Sequence, residues 1–210
     1  YSKTKGFLES EAMHKSAIAV YGHLSKDNPQ NYEPKLALSY HNLAILYHNI
    51  QRLADSEAMY KSAIGIYGHL SKDDPQAYEP ALATSYNNLA ILYFNTQRFS
   101  ESETMHKSSL AIRERLAKAN PQAYEPNLAM SYGQWANLYH KTQRFSESEE
   151  MYKLALAIYE RLAKANPQAY EPDLAMSYNN LAVLYSDTQR FPDSDAMHQS
   201  ARSEERRVGK

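Results

Sequence analysis

Apolar residues recur along the chain with a helical rhythm that is cut at regular intervals. Leu82, Tyr86, Leu89, Ala90 and Tyr93 stand at i, i+4, i+7, i+8 and i+11, one stripe of an amphipathic helix. Pro80 suits the first turn of that helix, where a missing N–H leaves no bond unmade. The stripe breaks at Thr96-Gln97-Arg98-Phe99. Ser100 with Glu103, repeated by Ser146 with Glu149, then has the spacing of a capping box that opens a second helix. The apolar columns of that helix are Met105, Ser109, Leu110, Ile112 and Leu116. It ends before Asn120-Pro121, because proline biases the preceding residue away from α-helical angles.

The whole pattern repeats. Pro29, Pro75, Pro121 and Pro167 lie 46 apart, as do Tyr40, Tyr86, Tyr132 and Tyr178. A partial unit over 1–32 precedes units at 33–78, 79–124, 125–170 and 171–201, which begin at Glu33, Glu79, Glu125 and Glu171. Tyr1–Phe7 aligns with Tyr185–Phe191, so the chain opens partway through a unit's first helix. Beyond 201 the repeat fails. Arg202 occupies the column of Ile18, Ile64, Leu110 and Leu156, and Glu204 that of Val20, Ile66, Ile112 and Ile158. Charges on a buried face contradict the pattern. The stretch R-S-E-E-R-R-V-G-K also resembles the translation of a common sequencing adapter, so 202–210 is read as a tail foreign to the array. A polar capping repeat is the alternative.

An isolated pair of antiparallel helices leaves its outer stripes bare, and stacking on neighbouring pairs covers them. The expected fold is therefore all-α, an α-solenoid of stacked antiparallel helix pairs in a right-handed superhelix. Alanine in the column of Ala44, Ala90, Ala136 and Ala182 lets the helices approach closely. A coiled coil is excluded, because turn chemistry interrupts the stripe every ~20 residues.

The run Tyr86–Tyr93 (Y-N-N-L-A-I-L-Y), followed by Gln97-Arg98-Phe99 and a second helix with small and aromatic columns, resembles a tetratricopeptide repeat. The second-helix run Leu156–Leu162 (L-A-I-Y-E-R-L) is most similar to the kinesin-light-chain type. The resemblance covers residues 1–201. Two features depart from it. The period is 46 rather than 34 or about 42, so helices or connectors must be longer, and Ser56, Ser102, Ser148 and Ser194 stand where the family usually has Ala.

Composition narrows the chemistry. Lys and Arg number 23 against 24 Asp and Glu, a net charge of −1, which leaves no basic excess for nucleic acid. Removing the tail takes away four basic and two acidic residues and leaves −3. Without cysteine there is no disulfide, thiolate nucleophile or Cys-ligated zinc. No apolar run approaches the ~18 residues of a membrane span, and a cytoplasmic protein is the expectation. The 18 tyrosines are mostly a few columns counted four times. His14, His106 and His198 share a column with Tyr60 and Tyr152, which marks a half-buried aromatic position rather than a ligand set. His41 and His48 face one way but have no third ligand. Neither a Gly-rich phosphate loop, H-E-x-x-H nor G-x-S-x-G occurs. No catalytic residue, metal or cofactor is expected.

The remaining signal is the other face of each first helix. His41, Asn42, Ile45, His48 and Asn49 lie on it in one unit, and Asn87, Asn88, Ile91, Phe94 and Asn95 in the next. Gln134, Asn137, His140 and Lys141 follow in the third unit, and Asn179, Asn180, Val183 and Asp187 in the fourth. These columns vary between units while the packing columns barely change, and apolar residues such as Leu38, Met130 and Met176 recur among them. The expected function is a non-catalytic interaction scaffold that holds an extended peptide or partner helix along a concave groove. Packing of this face against neighbouring helices is the structural alternative. Asn42, Asn88, Gln134 and Asn180 put one amide on each first helix, and the kinesin-light-chain resemblance implies a peptide-binding role for such a ladder. Two other functional readings stand beside this one: a sensor or regulatory region of a larger enzyme, and a self-associating array.

Overall fold

The structure, a computed structural model, describes the backbone of residues 2–208 and the side-chain surroundings of 6–204. Among the described residues it is entirely helical outside short connectors. The order is α1 (Ser2–Asp27), α2 (Pro29–Asn49), α3 (Leu53–Asp73), α4 (Pro75–Asn95), α5 (Phe99–Ala119), α6 (Pro121–Lys141), α7 (Phe145–Ala165), α8 (Pro167–Asp187) and α9 (Phe191–Val208). The chain parts into two compact units between Ile112 and Arg113, inside α5. In the first, α1 packs on α2, α2 on α3 and α3 on α4; in the second, α6 packs on α7, α7 on α8 and α8 on α9. This is the all-α, helix-pair architecture expected from the repeat.

The length of the repeat lies in its helices. From α2 to α8 each helix has 21 residues. A three-residue turn joins first to second helix, and a single cap residue joins one pair to the next.

First helices begin earlier than the sequence suggested. They open at Pro29, Pro75, Pro121 and Pro167, with proline at the first position, and not near Glu33 or its equivalents. The preceding side chains cap them: Asn28, Asp74, Asn120 and Asn166 accept from the backbone N–H of Asn31, Ala77, Ala123 and Ala169 at 3.3, 3.0, 3.2 and 3.4 Å. Pro80 thus sits inside α4 rather than in its first turn, as do Pro34, Pro126 and Pro172 in their helices.

The turn within each pair is built on Gln51, Gln97, Gln143 and Gln189, whose φ values of 62°, 60°, 59° and 60° are left-handed. The N–H of Arg52 reaches the carbonyl of Tyr47 at 2.8 Å and that of Gln51 reaches His48 at 3.0 Å, the two bonds of a Schellman ending. The same pair recurs at Arg98, Arg144 and Arg190. Each arginine then stacks over the tyrosine whose carbonyl it caps, at 4.1, 4.2, 4.1 and 4.1 Å.

This arrangement displaces the expected capping boxes. Arg52 and Arg144 end one helix and are also the N-caps of α3 and α7, with no side-chain cap bond. Ser146 and, by the same register, Ser100 fall inside the first turn of their helices. The turn is two residues tighter than a separate Ser cap requires.

A second correction concerns the N-terminal end, where α1 runs from Ser2 without the break expected before Phe7; Tyr1 lies outside the described residues. The column that supplies Arg52, Arg98, Arg144 and Arg190 holds Gly6 here.

Candidate peptide-binding face

Each first helix buries the Leu, Ala and Tyr columns of its packing stripe, while its variable columns range from exposed to buried. In the first unit Leu43, Ala44 and Tyr47 of α2 and Leu89, Ala90 and Tyr93 of α4 are buried. Buried serines link the two helices of a pair. Ser56, Ser102, Ser148 and Ser194 are buried, and each hydroxyl donates to the carbonyl of Ala44, Ala90, Ala136 or Ala182 at 2.7, 2.8, 2.9 and 2.9 Å. The departure from alanine is therefore a hydrogen bond between the two helices of a pair.

On the variable face of the first unit, Ile45 is 37% exposed, Asn49 is exposed, and Asn42 and Ile91 are half-buried. His48 accepts from the Asn95 amide at 3.2 Å, which links the ends of α2 and α4. Phe94 packs on Phe99, with ring centroids 6.0 Å apart. His41 bridges the two helices: its Nδ1 meets Ser85 Oγ at 2.8 Å, its Nε2 meets the Asn88 amide at 3.5 Å, and its ring stands edge-on to Tyr60. Burial holds the His41 imidazole below its usual pKa, so the neutral ring is favoured. Asn87 is buried, and its Oδ1 has no partner. The amide of Asn88 thus already has a structural neighbour, and Asn87 lies beneath the surface rather than on it.

In the second unit, His140 Nε2 donates to Asp187 Oδ2 at 2.8 Å, the counterpart of the His48–Asn95 link. Asn179 Oδ1 accepts from His198 Nδ1 at 3.2 Å, Lys141 is exposed and Val183 is 48% exposed. Gln134, Asn137 and Asn180 come together around one cleft of about 300 Å³ between α6, α7 and α8. The cleft also takes walls from Met130, Gly133, Tyr152, Tyr159, Met176 and Ser177. Tyr152 donates to Asn137 Oδ1, and burial pushes its hydroxyl pKa up to about 12. Gln134 Oε1 is buried without a partner. The sequence columns include Gln134, Asn137 and Asn180 of this cleft but not Ser177 of α8 or Tyr152 and Tyr159 of α7. The available signal was Gly133 itself, a side chain deleted from a column that elsewhere carries His41, Asn87 or Asn179.

Charge clamps tie a second helix to the first helix that follows it. Glu11 accepts from Tyr47 at 3.0 Å and Arg52 at 2.8 Å, and Arg52 also bonds Asp55 at 2.7 Å. Glu57 accepts from Tyr93 at 2.9 Å and Arg98 at 2.5 Å, and Glu149 from Tyr185 at 3.0 Å and Arg190 at 2.7 Å. Bonds from Lys15, and then Arg52, hold Glu11 down to about 2. Burial alone would raise Glu57, but bonds from Arg98, Lys61 and Tyr93 outweigh it and hold that carboxyl at about 2. Among the described residues no helix is long and apolar enough to cross a membrane, and no group of three metal-ligating side chains is gathered.

The tetratricopeptide repeat models match residues 81–161, 36–76 and 174–203. No curated protein matches the sequence. Among solved structures, the Podosopora anserina kinesin-light-chain candidate with nearly identical TPR-like repeats superposes with a TM-score of 0.72 at 15% identity, covering 99% of this chain and 91% of that one. BtubC (BKLC) from P. vanneervenii gives 0.57 at 19% identity over 97% and 92%. RapI in its apo form gives 0.69 at 16% identity, over 94% of this chain and 52% of RapI. At such identities the likeness carries the fold alone. Repeats of this kind are generally non-catalytic scaffolds for protein interaction. Taken with the helix pairs and their Schellman turns, the matches show that the chain belongs to the tetratricopeptide repeat family.

Proposed function

We propose that the protein is a non-catalytic scaffold that holds an extended peptide against the variable face of its first helices. The observation that carries this reading is the mixture on that face. Ile45, Met130, Met176 and Val183 are 37%, 40%, 56% and 48% exposed, among amides and imidazoles that vary from unit to unit. Solvent alone favours charge at such positions, whereas apolar contacts with interleaved donors and acceptors suit a bound chain. Asn42 and Asn180 are half-buried rungs of the amide ladder, able to pair with a peptide backbone whatever its sequence.

The test begins with peptides selected from a random displayed library against the whole chain. Calorimetry then compares the wild type with Ile45→Asp, Val183→Asp and, as a control on a second helix, Leu154→Asp. A carboxylate on the face should weaken a selected peptide about tenfold, and the control should leave it unchanged. Equal loss in all three variants, or none in the first two, rejects this face as the site.

A further inference from the structure

We infer that the cleft beside Gly133 is a socket for the imidazole ring of a histidine carried by the bound peptide. This deepens the reading of the first-helix face and rests on it.

The inference comes from comparing two places that the repeat makes equivalent. In the first unit the cleft position is filled in cis by His41. Its ring meets Ser85 Oγ at 2.8 Å through Nδ1, the Asn88 amide at 3.5 Å through Nε2, and the edge of Tyr60 at a centroid distance of 5.6 Å. The Ser85 hydroxyl donates to the carbonyl of Ala81 at 2.9 Å, so toward the ring Ser85 can only accept. This pattern matches His41 as the neutral ring with its proton on Nδ1, and burial lowers its pKa and so favours the neutral form.

Two periods further along, the partners are all present and the ring is not. Ser85, Asn88 and Tyr60 become Ser177, Asn180 and Tyr152, which all line the cleft, while His41 becomes Gly133. A Cβ built at Gly133 would meet nothing within 4 Å. The Ser177 hydroxyl donates to the carbonyl of Asp173 at 2.8 Å, so here too the serine offers an acceptor. The cleft adds one feature that the first unit lacks, the buried and unpartnered Gln134 Oε1.

The required ligand is thus a flat ring with an N–H for Ser177 and a lone pair for the Asn180 amide, placed against the edge of Tyr152. Gln134 Oε1, buried beside the cleft, has no partner of its own. Neutral imidazole has both ring functions. A phenyl ring has neither, an indole only donates, an ammonium or guanidinium only donates, and a carboxylate only accepts. A volume of about 300 Å³ leaves room for the backbone that carries the ring.

N-acetyl-histidine-N-methylamide and its alanine and phenylalanine counterparts serve as probes, followed by NMR at the Gly133 backbone amide and the Gln134 and Asn180 side-chain amides. The histidine derivative should give saturable shifts at concentrations at least about tenfold below the other two. Gly133→His should fill the socket in cis, abolish those shifts and raise the melting temperature. Ser177→Ala, which keeps the helix, should weaken the histidine probe several-fold with an unchanged melt. Equal response to the three probes, or full binding by Gly133→His or Ser177→Ala, overturns the socket. Selected peptides that bind the first-helix face with no histidine preference and no sensitivity to Gly133→His would sink the socket and leave the groove standing. A histidine probe that saturates the cleft while no peptide binds would do the reverse.

Discussion

The hydroxyl of Ser56 donates to the carbonyl of Ala44 at 2.7 Å, tying the second helix of a pair to the first. Because the group is buried, its loss exposes no compensating water. Ser56→Ala and Ser148→Ala should each lower stability by about 1 kcal/mol in urea melts. Ser146→Ala is the contrasting case. Had Ser146 been the N-cap, its removal would also cost about 1 kcal/mol, but at its place inside the first turn of α7 it should cost under about 0.5 kcal/mol. Equal losses at Ser146 and Ser148 would contradict the register of the turn.

The charge clamps predict a specific acid response. The Glu11 and Glu57 carboxyls are lowered from 4.5 to about 2, so each contributes stability that is fully present above pH 4.5 and lost as pH falls toward 2. Glu57→Gln should be less stable than the wild type at neutral pH and should lose less on acidification through that window. Parallel curves for the two proteins would show that the Arg98–Glu57 contact does not contribute.

What could be read from the sequence was whatever repeated. Columns such as Leu43, Leu89 and Leu181 gave the buried stripe, and the 46-residue spacing gave the helix pairs. Boundaries were misread where two local rules competed. Pro80 looked like a helix start, but Pro75 with the Asp74 cap does that work, and the helix absorbs the second proline. Ser100 and Glu103 looked like a capping box, but the Schellman turn makes Arg98 the boundary. At the candidate site, the variable first-helix columns were visible because they vary. The second-helix wall of the cleft was not, since Tyr152 and Tyr159 look like ordinary packing residues until Gly133 removes what would cover them.

Trp135 takes a packing column held elsewhere by Leu43, Leu89 and Leu181, and it is 8% exposed with no partner for its Nε1. Its emission should be blue-shifted and poorly quenched by iodide. Emission typical of a hydrated indole would contradict the phase of α6.

The tail remains a proposal. Helix α9 continues to Val208, with Arg202 and Ser203 exposed beyond the buried Ala201, while Gly209 and Lys210 lie outside the described residues. If 202–210 is foreign to the array, a chain ending at Ala201 should melt within about 1 °C of the whole chain. A loss of several degrees would make these residues a cap.

The most direct measurement is where a selected peptide lands. With the methyl groups of isoleucine, leucine, valine and methionine labelled, its addition should move the NMR signals of Ile45, Met130, Met176 and Val183, all on first helices, and leave those of Val20 and Leu154 on second helices in place. Shifts confined to Val20 and Leu154, with the first-helix methyls unmoved, would contradict the account.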